Sequence, residues 1–179
     1  DFWFGGGLDL TPYYVYEQDA RDWHRVCEQI CHRSQLDYQA LKQACDRYFY
    51  LPHRKEHRGV GGLFFDDYNL DFEHGSTVLK NLGDQLMEAY LPIVERRKNT
   101  HFSAVQRHYQ EVRRGRYVEF NLIHDKGTLF GLKTQGRIES ILMSLPPAVQ
   151  WKYNVSPAPG SEEERLLRVL QKPINWIKQ

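Results

Sequence analysis

Cysteine is scarce in this chain and methionine scarcer, three and two among 179 residues. Cys27, Cys31 and Cys45 are odd in number and contain no C-x-x-C pair, which excludes a secreted disulfide scaffold and points to a reducing compartment, with the cytosol, a cytoplasmic location, as the expectation. Long apolar runs are missing too. Stretches such as Leu63 to Phe65 and Ile141 to Met143 fall far short of the ~20 residues that a membrane-spanning helix needs. Net charge is nearly absent: 24 basic against 23 acidic side chains give +1, so no global field draws the chain to nucleic acid or to an anionic membrane. The phosphate-cradling G-x-x-x-x-G-K-[ST] and G-x-G-x-x-G patterns do not occur, nor does a Ser or Cys nucleophile motif, a repeat or a low-complexity tract.

What is present is aromatic and well patterned. Aromatics at 13% argue against disorder. The chain opens at Asp1 straight into Phe2-Trp3-Phe4, which leads us to expect the C-terminal portion of a longer protein. Phe2 to Phe4 reads as a short strand feeding a Gly5-Gly6-Gly7 loop. Asp19 is expected to cap a helix reaching about His32, with Trp23, Val26, Cys27 and Ile30 inward, and Asp37 to begin a second that stops before Pro52. Val60 to Phe65 predicts a strand covered on both faces. Val78, Leu82, Leu86 and Tyr90 predict a helix, and a further one after Pro92 carries Phe102, Val105, Tyr109 and Val112. In Arg116 to His124, Val118, Phe120 and Leu122 alternate with polar neighbours, the pattern of a strand, and Asp125-Lys126-Gly127-Thr128 is expected to turn it into a hairpin with Leu129 to Leu132. Ile138 to Leu145 fits either a helix or a strand, Val149 to Tyr153 a strand and Glu162 to Leu170 a last helix. The fold class expected is α+β, one domain over residues 1–179 with an antiparallel sheet flanked by helices.

The densest chemistry is His53-Arg54-Lys55-Glu56-His57-Arg58-Gly59. Its H-x-x-E-H order matches a zinc metallopeptidase signature. A ligand pair at that spacing needs a helix, however, and Pro52 and Gly59 bracket the motif. A second reading is a solvated basic loop. A third takes Arg54 and Arg58 as a pair for bidentate capture of carboxylates, either in an enzyme or in a non-catalytic carboxylate-binding module. His24 and His53 are each open to a structural or a ligand role. Asp9 follows three glycines, where backbone can approach a ligand closely, and is otherwise a turn residue. Gln135-Gly136-Arg137 offers another arginine suited to an anion. Arg113-Arg114-Gly115-Arg116 reads as a basic helix end rather than a nucleic-acid patch.

Three strings taken together, Trp3 to Pro12, Tyr48 to Asp67 and Arg114 to Leu122, resemble oxygen-dependent coproporphyrinogen III oxidases. Leu91 to Arg97 and Arg137 to Pro147 extend the resemblance over the whole chain. It implies an enzyme of haem biosynthesis that oxidatively decarboxylates two propionates of coproporphyrinogen III to vinyl groups, giving protoporphyrinogen IX, with O2 as co-substrate and no organic cofactor. It implies that Asp9 faces the pyrrole N–H groups, that Arg54, Arg58, Gln135, Gly136 and Arg137 contact substrate, and that His24 and His53 are ligands of a divalent metal. It further implies a flat antiparallel sheet covered by helices on both faces, a homodimer joined through about Tyr117 to Lys152, and a proton-donor His with two further His in an N-terminal portion before Asp1. Lys126 departs from the family's more common Arg, keeping the charge but not the planar fork.

Overall fold

The computed structural model describes residues 2–178. In order, the elements are β1 (Phe4–Leu10), α1 (Glu17–Arg33), α2 (Tyr38–Tyr48), β2 (Tyr50–Leu51), β3 (Glu56–His57), β4 (Gly61–Tyr68), α3 (Phe72–Arg97), α4 (Ala104–Ile123), α5 (Lys126–Lys133), α6 (Ile138–Leu142) and α7 (Glu162–Gln171). The class is α+β, as expected, and all strand pairing is antiparallel among the described residues.

The glycine triplet is not a loop but the middle of β1, which pairs with β4 so that Leu8 faces Leu63 and Asp9 faces Gly62. The two backbones meet too closely at Gly62 for a side chain, since a Cβ there would lie 1.9 Å from the Leu8 carbonyl oxygen. Leu63, Phe65 and the Phe4 ring pack with Trp23 and Ile30 of α1 and Val78 of α3 in the larger core. Trp23 also donates its indole N–H to the Gly61 carbonyl, 3.1 Å away. Cys27, Cys31 and Cys45 are all buried here, two on α1 and one on α2. A second core joins α7 to the rest through Leu166, Leu170, Trp176, Tyr109, Val15 and Val60. Among the described residues no helix is long and apolar enough to cross a membrane.

Several sequence expectations hold and several give way. Asp37 caps α2, accepting from the Gln39 and Ala40 amides. Asp19 does not cap α1, which begins at Glu17. Its buried carboxylate instead binds Arg96 and Arg97 at 2.7 Å each, tying the end of α3 to the start of α1. Pro92 does not end a helix. It sits on the exposed side of α3, where water can serve the carbonyl that a proline leaves unbonded.

The largest departure is at residues 116–124. The expected strand is the C-terminal half of α4, opened by a Ser103/Gln106 capping box. The expected hairpin is a new helix start, with the Asp125 carboxylate accepting from the Thr128 amide. Residues 149–153 form no strand, and the helical alternative is realised at α6. In place of the flat sheet that the resemblance implies, the described residues form two two-stranded antiparallel ribbons. The cause is spacing: Tyr109, Val112, Arg113, Arg116 and Phe120 are all buried at helical intervals.

Candidate functional site around the Asp9 and Glu119 ion pairs

β1 and the β2–β3 ribbon set the position of the site. Asp9 stands at the end of β1, and Arg58 follows β3 directly. The Arg58 guanidinium donates to the Asp9 carboxylate at 2.6 Å, with Arg58 buried and Asp9 partly open. Aromatic faces surround the cation: its guanidinium carbon is 3.9 Å from the Phe49 ring centroid, 4.8 Å from Phe120 and 4.9 Å from Tyr117. Its Nε–H is buried without an acceptor, so the rings and Asp9 are what hold the charge. This arginine positions a carboxylate through its Nη2 alone.

Beside this pair lies a second one, centred on Glu119 of α4. Arg54 donates to it through Nε at 2.8 Å and Nη2 at 2.6 Å, a bidentate clasp. Arg116 donates at 2.9 Å, the Trp151 indole at 3.1 Å and the His53 Nε2–H at 2.8 Å. Burial opposes charge on Glu119, but the Arg54 and His53 hydrogen bonds and the Arg116 cation outweigh it, holding its pKa down at about 2. His53 also approaches His124, with 3.4 Å between ring nitrogens. Behind them Arg113 donates to the buried Glu56 at 2.8 Å.

Glu119 is not among the residues that the sequence singles out, and Arg113 and Arg116 enter there only as a basic helix end. The signal was there in their spacing, since residues three apart share one face of a helix.

His24 is fully buried and both ring nitrogens are engaged, Nε2–H donating to the Val60 carbonyl at 3.0 Å and Nδ1 accepting from the Tyr38 hydroxyl at 2.9 Å. Burial, eased only in part by the Val60 bond, lowers its pKa to about 4. None of these partners is shared with His53. No cluster of three or more His, Cys, Asp or Glu is arranged to hold a metal among the described residues. The pair as placed does not fit a shared metal. Nor does the H-x-x-E-H order form a helix: it spans a turn and β3, His57 donates to the Leu170 carbonyl at 2.8 Å, and Glu56 turns to Arg113. Those histidines do not make a peptidase-type ligand pair.

Gln135, Gly136 and Arg137 form the link between α5 and α6, with Gln135 and Arg137 exposed and Gln135 at φ 56°. A cavity of about 520 Å³ is walled by Leu10, Tyr13, Tyr14, Tyr16 and Arg114 among others, and Asp9 is not one of its walls.

The whole arrangement is a set of fixed carboxylates, one of them partly open, embedded in guanidinium and aromatic groups. In comparison with known families, the family model described as coproporphyrinogen III oxidase matches residues 1–176. The chain belongs to the coproporphyrinogen III oxidase family of haem biosynthesis.

Proposed function

We propose that the protein is the oxygen-dependent enzyme, converting two propionates of coproporphyrinogen III to vinyl groups. For each propionate the reaction balances as loss of CO2 and of a hydride equivalent from the β-carbon. O2 takes up that hydride and one proton to become hydrogen peroxide. The observation that carries the reading is Asp9, a carboxylate held at 2.6 Å by a buried arginine yet still open to a ligand. Facing pyrrole N–H groups, Asp9 accepts their hydrogen bonds or a proton, which raises the electron density of the ring that must react with O2. Arg58 fixes the carboxylate in place. Arg54 is more exposed and reaches a propionate by exchanging it for Glu119, with the carboxylate fork taking the place of the side-chain fork. Gln135 to Arg137 and the homodimer contact through about Tyr117 to Lys152 are part of the proposal on the strength of the sequence resemblance, as is a cytoplasmic location.

The test is turnover. The purified protein, in a version carrying any residues that precede Asp1, is given coproporphyrinogen III with and without O2, and product, CO2 and peroxide are followed. Formation of protoporphyrinogen IX only with O2 supports the proposal, whereas turnover in its rigorous absence or none in its presence refutes it.

A further inference from the structure

Apart from the Asp9 pair, the structure holds a cavity of about 260 Å³ between α4, the 152–157 segment and α7. That is room for a chain of several atoms rather than one water. Arg54, Arg113, Arg116 and Lys152 wall it, with Glu56 as the acidic wall residue and Glu119 bound behind Arg54 and Arg116. Four cations thus meet two carboxylates. Arg113 and Arg116 are buried, at 7% and 8% exposure, and Lys152 has no ion-pair partner among the described residues. The walls therefore carry two more positive than negative charges, a local field that favours an anion. Burial and the neighbouring Arg54 and Arg113 charges lower the pKa of Arg116, while Glu119 and Glu56 oppose the shift. His53, which touches Glu119, adds no negative charge. Asn154 and Ser156 supply neutral polar groups on the same walls.

We infer that this cavity is an anion site that takes an alkyl carboxylate, held by Arg113, Arg116 and Lys152. The site stands on charge and shape; that its natural occupant is a propionate arm of the substrate rests on the function proposed above. In that case a propionate lying away from Asp9 is anchored here and sets the register of the macrocycle.

Calorimetric titration with succinate and with propionate, at low and raised salt, tests the site directly. The wild type is expected to bind, and to bind less tightly as salt screens the charges. Lys152→Glu, at an exposed wall position, should weaken binding at least about tenfold, as for the loss of a charged hydrogen bond. Arg116→Met, checked for fold by circular dichroism, should do the same. With coproporphyrinogen III, Lys152→Glu should raise KM and leave kcat within about twofold, the mark of lost uniform binding. A folded wild type that turns over substrate but binds neither probe overturns the anion site and leaves the proposed function standing. Probe binding without any turnover overturns the function and leaves the site. Probe binding sensitive to Lys152→Glu with an unchanged KM shows that the occupant is a free carboxylate and overturns the propionate assignment.

Discussion

Arg58 carries a full charge where water hardly reaches it, and what it touches is one carboxylate and three aromatic rings. Removing it strands Asp9. Arg58→Met should therefore cost about 3 kcal/mol of stability in urea denaturation, the scale for breaking a buried pair by deleting one partner. Asp9→Asn keeps the shape but strands the buried Arg58 cation, so it too should cost stability; in the variant that circular dichroism shows folded, substrate binding should persist while most turnover is lost, and near-normal rates would eliminate Asp9 from the chemistry. Both residues were legible in the sequence because glycines and a dense basic string flag them. Glu119 was not, since a glutamate between apolar residues on a presumed strand reads as solvent-facing, whereas the fold buries it under two guanidinium groups and an imidazole. His24 adds a pH dependence. Its folded pKa of about 4 lies below the ordinary value of 6.5, so the unfolded chain binds a proton first. Its contribution to stability is whole above about 6.5 and declines as the pH falls toward 4. Melting curves across that window should show a shallower loss in His24→Asn than in the wild type, after allowance for the variant's lower starting stability.

The elements were read best where burial and hydrophobicity coincide. α1, α2, α7 and the buried start of β4 place apolar side chains inward at their own period, and caps such as Asp37 and Ser161 mark the starts. The C-terminal half of α4 escaped because its inward face is half charged: Arg113, Arg116 and Glu119 are buried through ion pairs. A count of apolar residues then sees the alternation of Val118, Phe120 and Leu122, although Leu122 is substantially exposed. Asp125 misled for a related reason, as Asp-x-x-Thr serves a helix start as readily as a turn. The β1–β4 ribbon has its own pressure point in Gly62. Gly62→Ala must push Cβ against the Leu8 carbonyl and the Trp23 indole, and should cost about 1–3 kcal/mol by the scale of overpacking. A change within a few tenths of a kcal/mol in chemical denaturation would mean that the ribbon can part freely.

At the scale of the whole molecule, the surface from α5 onward is strongly apolar. Phe130 is 69% and Met143 79% exposed, with Ile138 and Trp151 more than half so. In the proposed homodimer this face meets its two-fold copy, and Met143→Glu should then shift the protein toward monomer in sedimentation by burying an unpaired carboxylate. A wild type that stays monomeric at high concentration would exclude that assembly. A different consequence follows from the three buried thiols. Burial raises the pKa of all three, that of Cys31 to about 12, and only thiolate reacts at an appreciable rate. Alkylation of the native protein must therefore wait for α1 and α2 to come away from the core. Labelling of Cys27, Cys31 and Cys45 becomes a clock for cooperative opening, readable by mass with no engineered probe. The same seclusion keeps cysteine sulfur away from peroxide, so an enzyme that releases an oxidant would spare its thiols, while the exposed Met87 and Met143 would be the sulfur atoms it oxidises first.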